Sequence, residues 1–239
     1  MENYIDINGV KIWTEIKGNK EGPAIVLCNG GPGSSDYLEP VSSMLEDIAC
    51  VIRFEQRSCG RSTEDYNCDV ERTIEDLEEI RNYYNLSSWV VGGHSWGANL
   101  ALAYALKYPV KSDALVYISG NGIQRNREWS KEYHENREKY GEVIPEVGHN
   151  DKVNKLGNRS WQKYIQRPSI LKEISRLTIP SLFLYGSKDV RPSWPAEQIS
   201  NLLSDSKFVM IEDAAHYIWL SHFENMKIEL RKFIKEVKL

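Results

Sequence analysis

Short apolar runs alternate with helical patterns along most of the chain. Tyr4-Ile5-Asp6-Ile7 and Val10-Lys11-Ile12-Trp13-Thr14-Glu15-Ile16 alternate apolar and polar side chains around Asn8-Gly9, a dipeptide suited to a two-residue hairpin turn, and predict two antiparallel strands. Continuous apolar runs follow at Ala24 to Cys28, Cys50 to Phe54 and Trp89 to Val91, separated by helical patterns over Tyr37 to Ile48 and Thr73 to Tyr84 and followed by one over Trp96 to Tyr108. Strands buried on both faces of a parallel sheet read as such runs. The pattern resumes with Ala114 to Ile118, Ser181 to Tyr185, a helix near Pro195 to Leu203, the strand Phe208 to Ile211 and a closing helix from Phe223 to about Val237. The result is an α/β fold with about eight mostly parallel strands flanked by helices.

Between about Asn121 and Leu177 no apolar strand occurs, and Arg125 to Glu142 is dense in charge and aromatics. This predicts a core of residues 1–120 and 178–239 interrupted by a small helical cap, 121–177, over the carboxyl edge of the sheet, where open α/β sheets bind ligands.

Composition narrows the function. At 239 residues and 41% hydrophobic content the chain suffices for one large domain, and a net charge of −4 with interspersed signs argues against a nucleic-acid partner. The first residues lack the basic and apolar regions of a signal peptide, and no apolar run is long enough to span a membrane, so a cytoplasmic address and no membrane partner are expected. Cys28, Cys50, Cys59 and Cys68 form no Cys-x-x-Cys pair and read as free thiols, and the sequence carries no readable oligomerisation signal.

Gly93-His94-Ser95-Trp96-Gly97 matches Gly-x-Ser-x-Gly between a strand and a helix, the context of a nucleophile elbow. A serine hydroxyl needs a neighbouring base, itself oriented by a carboxylate, and in this fold the order is serine, acid, histidine. Asp189 after the strand Ser181 to Tyr185 and His216 after the strand Phe208 to Ile211 emerge on the same edge as Ser95 and are the candidate acid and base. Asp213 is a rival acid, only three residues from His216, and His222 is a rival base that begins the last helix. The oxyanion hole is expected from the backbone N–H of Trp96 and of Gly31 in the loop Asn29-Gly30-Gly31-Pro32-Gly33, which lacks the lysine of a phosphate-binding loop. The three side chains supply nucleophile and base themselves, so neither metal nor organic cofactor is expected.

Three stretches resemble the prolyl iminopeptidases of the α/β-hydrolase fold: Asn29 to Gly33 is similar to the family's His-Gly-Gly-Pro-Gly, Glu55-Gln56-Arg57-Ser58-Cys59-Gly60-Arg61-Ser62 to its Asp-Gln-Arg-Gly-x-Gly-x-Ser, and Gly92 to Gly97 with Leu100 to Tyr104 to its elbow and following helix. Asn29 and Glu55 replace a histidine and an aspartate, and this cap is shorter than is usual in the family. The resemblance implies a serine aminopeptidase acting on small molecules or short peptides, with cap glutamates holding the substrate ammonium. Glu128, Glu132 and Glu135, with Trp129 and Tyr133 beside them, are the candidates by chemistry. A carboxylesterase or related small-molecule acyl hydrolase is the alternative, because specificity lies in the cap while the triad is shared.

Overall fold

In a computed structural model, which describes residues 1–237, the eight expected strands are all present. They are β1 (Glu2–Ile7), β2 (Val10–Gly18), β3 (Ala24–Cys28), β4 (Cys50–Phe54), β5 (Trp89–His94), β6 (Ser112–Ile118), β7 (Ser181–Gly186) and β8 (Ser206–Ile211). They form one sheet in the order β1-β2-β4-β3-β5-β6-β7-β8. β1 and β2 pair antiparallel through the Asn8-Gly9 turn, both residues at positive φ (55° and 84°) as that hairpin requires. β2 meets β4 antiparallel, and every pairing from β4 to β8 is parallel.

The helices are α1 (Glu39–Ser43), α2 (Val70–Tyr83), α3 (Trp96–Lys107), α4 (Arg127–Tyr140), α5 (Asp151–Ile165), α6 (Ile170–Ser175), α7 (Trp194–Leu202) and α8 (Phe223–Glu236). Strand side chains divide by parity between two cores, which is why the central strands read as unbroken apolar runs. Val26, Val91, Leu115, Tyr117, Phe183 and Tyr185 face α2, α3 and α7. Their neighbours Ile25, Leu27, Val90, Val116, Leu182 and Leu184 face α1 and α8. Helix α3 is buried from Trp96 to Ala105, because Trp161 and Tyr164 of α5 close over the side turned away from the sheet.

Two helices differ from the sequence expectation. The pattern over Tyr37 to Ile48 yields only the five residues of α1 and then tightens into turns, the Met44 and Leu45 N–H groups donating to the Val41 and Ser42 carbonyls, while the Glu46 and Ala49 carbonyls further on accept from the distant Asn19 N–H. Helix α2 starts earlier, where the Asp69 side chain accepts from Arg72 N–H as an N-cap. The Gln-Arg motif proves to be an anchor: Arg57 is buried and donates to both carboxylate oxygens of Asp76 on α2, at 2.5 and 2.7 Å, and to Asp65 at 2.7 Å. All four cysteines are buried free thiols. The stretch between β6 and β7 holds α4, α5 and α6, and among the described residues no helix is long and apolar enough to cross a membrane.

Candidate active site

Ser95 stands between β5 and α3 at φ 57° and ψ −123°, a conformation costly for a non-glycine residue that persists only where its surroundings hold it. The holding is steric. A Cβ on Gly93 would lie 2.3 Å from the Gly97 carbonyl, and one on Gly97 would lie 2.0 Å from the Cys28 carbonyl, so α3 starts hard against β3 and the serine projects from a tight corner. The Ser95 N–H is tied to the Ile118 carbonyl at 2.8 Å. Among the described residues its hydroxyl has no hydrogen-bond partner.

Asp189 leaves the end of β7 and His216 the loop after β8. Their side chains meet, Asp189 Oδ2 to His216 Nδ1 at 2.7 Å, with both residues buried. Asp189 Oδ1 also accepts from the Arg191 N–H at 2.9 Å, and the Lys188 N–H donates to the Ala214 carbonyl at 2.8 Å, which locks the two loops together. Burial pushes the His216 imidazole below its ordinary value, opposed by the Asp189 carboxylate. Asp213 is exposed and paired with Lys188 at 2.7 Å, and His222 bonds to Ser221 Oγ at 2.8 Å.

His94, read from the sequence only as the elbow's variable position, is a structural link. Its Nε2 lies 3.0 Å from the His216 carbonyl, which only accepts, so Nε2 carries the proton and Nδ1 accepts from Tyr37 Oη at 2.8 Å. The Tyr37 hydroxyl in turn accepts from Gly30 N–H at 2.7 Å. Burial, with His216 adding to it, holds His94 well below the usual histidine range, consistent with a neutral link. One run of neutral hydrogen bonds thus joins the glycine loop, the elbow and the histidine loop.

Neither the Trp96 N–H, at the first position of α3, nor the Gly31 N–H, at φ 69°, has an acceptor among the described residues. The glycine loop is held from outside. Asn154 Nδ2 of α5 donates to the Gly31 carbonyl at 2.7 Å, the Asn150 N–H to the Gly33 carbonyl at 2.8 Å, and the Ser35 N–H to the Gly148 carbonyl at 2.8 Å, beside a bridge between Ser34 and His149. Asn29, where the similar family has histidine, donates to the Ser34 carbonyl at 2.8 Å and closes the loop on itself.

A cavity of about 190 Å³ opens at Ser95, Trp96, Gly31 and Pro32. Trp129 and Tyr133 of α4 wall it, their rings stacked 5.3 Å apart, together with Asn121, Asn154, Asn158, Arg125 and Arg191. Of the cap residues expected to bind substrate, Trp129 is here, whereas Glu128 and Glu132 are not among the lining residues. Trp129 and Tyr133, four apart, take the inward stripe of α4 and turn the preceding glutamates aside. Glu128 is exposed, Glu132 accepts from Trp194 Nε1 at 3.2 Å, and Glu135 lies 3.8 Å from Lys131. Sequence reasoning missed Arg191, although it stands only two residues past the candidate acid. Its Nη1 lies 2.6 Å from Glu142 Oε1 and 3.6 Å from Asp189 Oδ1.

A family model described as alpha/beta hydrolase fold matches residues 23–156. A proline iminopeptidase of Neisseria gonorrhoeae is 32% identical over 118 residues, covering 47% of this chain; the match spans only 38% of that relative's length. A proline iminopeptidase of Heyndrickxia coagulans aligns across 99% of both chains at 23% identity. Among solved structures, the proline iminopeptidase of Mycobacterium smegmatis superposes with a TM-score of 0.76 at 14% identity, covering 99% of this chain and 98% of that one, a likeness of fold.

Proposed function

We propose that this chain, which belongs to the alpha/beta hydrolase fold family, is a serine hydrolase that works through an acyl-enzyme on small acyl compounds. The observation that carries the proposal is the buried Asp189–His216 pair at 2.7 Å, beside a strained Ser95 that opens into the cavity. In this reading Asp189 holds the Nδ1–H tautomer and His216 Nε2 takes the proton as Ser95 Oγ attacks the carbonyl. The Trp96 and Gly31 N–H groups receive the developing oxyanion. His216 then returns the proton to the leaving group, and water releases the acyl group by the same steps.

The cavity wall supports an ester or amide of a small acid over the removal of an N-terminal residue. A substrate ammonium would meet Arg125 and Arg191 there, and no carboxylate is among the lining residues. The aminopeptidase reading draws instead on the relatives named proline iminopeptidase. A fluorophosphonate should label Ser95 covalently, and short aryl esters should then exceed aminoacyl arylamides in kcat/KM. Faster turnover of the free-amine arylamide restores the aminopeptidase, and failure to label overturns the hydrolase.

The pH profile supplies a separate check. The base must be neutral to accept the serine proton, and burial holds the His216 imidazole below its ordinary value. So kcat/KM should be low in acid, rise as the imidazolium loses its proton, and reach its plateau through an inflection below the ordinary histidine value of about 6.5. A chemistry-limited profile that is flat, or that inflects above about 7.5, contradicts His216 as the base.

A further inference from the structure

The wall of the cavity is more specific than its size. Arg191 approaches from the loop after β7. Its charge is met by two carboxylates at Nη1, Glu142 at 2.6 Å and Asp189 at 3.6 Å, yet its Nε and Nη2 donors have no hydrogen-bond acceptor among the described residues. Arg125 approaches from the segment before α4. It is exposed, its guanidinium lies 4.7 Å over the ring of the buried Trp129, and no carboxylate stands within ion-pair distance of it among the described residues. Stacking on an aromatic face restrains the planar guanidinium while leaving its edge donors available, and that edge matches two carboxylate oxygens. Two guanidiniums and the nucleophile Ser95 therefore share one small cavity whose lining includes no acidic side chain.

We infer that the acyl compound hydrolysed here carries a carboxylate a few bonds from the scissile carbonyl, received by Arg125 at the rim with Arg191 further in. This rests on the hydrolase reading above. The cavity, about 190 Å³, has room for a short chain ending in a carboxylate. A monoester of a dicarboxylic acid of about five carbons has that shape. Its hydrolysis adds water across the acyl bond, Ser95 Oγ forming and then losing its bond to the acyl carbon, and needs no further reactant.

The test compares mono(4-nitrophenyl) glutarate with 4-nitrophenyl pentanoate, the same chain without the charge, with the rate of the Ser95→Ala protein subtracted as background. Wild type should favour the glutarate by about tenfold or more in kcat/KM, the factor equivalent to one charge-assisted contact. Arg125→Gln should cut that ratio at least severalfold, chiefly through KM for the glutarate, and Arg125→Lys should restore part of it. A wild-type ratio of one or less, no turnover of the glutarate, or a ratio unmoved by Arg125→Gln overturns the inference. Fluorophosphonate labelling of Ser95, run in parallel, separates the two failures: an unlabelled protein sinks the hydrolase, whereas a labelled protein without the anionic preference sinks only the carboxylate.

Discussion

Ser95→Ala is expected to lower hydrolysis by about a thousandfold or more while leaving the melting temperature nearly unchanged. The two halves of this expectation have different origins. In the proposed mechanism the hydroxyl forms the bond to the acyl carbon, so nothing else at the elbow replaces it. Its removal costs little stability because the oxygen has no hydrogen-bond partner among the described residues, and because alanine keeps the Cβ that already stands at φ 57°. The corner is imposed by the contact of Gly97 with the end of β3, which the substitution does not touch. Steady-state rates with circular dichroism and thermal melts decide it. Activity within tenfold of wild type removes Ser95 as nucleophile.

Asp189→Asn should be at least comparably severe, about ten-thousandfold in kcat, the magnitude seen when a triad acid becomes its amide. The amide preserves shape and volume, but its nitrogen presents a donor to His216 Nδ1, favouring the tautomer whose Nε2 is already protonated and unable to accept from serine. Arg191 keeps Glu142 as its ion-pair partner, so the loop should stay in place. Asp213→Asn is the matched comparison. Asp213 is exposed and its carboxylate pairs with Lys188 at 2.7 Å, so the change should leave kcat/KM within about twofold, as surface substitutions away from a site do. If the Asp213 variant is the inactive one, the acid belongs to the histidine's own loop.

The fold was legible in the sequence because its determinants are local or periodic. A central strand flanked by two cores must be apolar at every position, and the elbow must place glycines where strand and helix touch. Asn19 shows the opposite case. Its N–H ties down the Glu46 and Ala49 carbonyls at the end of the turns that follow α1, and no pattern over Tyr37 to Ile48 announces so distant a partner. The cavity was hidden for the same reason, since Arg125, Asn154 and Arg191 come from three separate segments and meet only through the packing of the helices between β6 and β7. On α4 the sequence offered two stripes at the same spacing, Glu128 with Glu132 and Trp129 with Tyr133. The aromatic pair turned inward, as the burial of apolar surface favours.

The hydrogen bonds from residues 148–154 to the glycine loop bear on how such a molecule can diverge or be recombined. Gly31 and Gly33 present their carbonyls to Asn154 and Asn150, so a proposed oxyanion donor is positioned partly by residues of the insertion. The insertion is therefore not a detachable specificity module. A chimera that exchanged all of 121–177 for a relative's cap would transplant a new pocket and withdraw, in the same cut, the scaffolding of the loop proposed to polarise the substrate. Crossovers confined to the stretch before Gly148 keep that scaffolding.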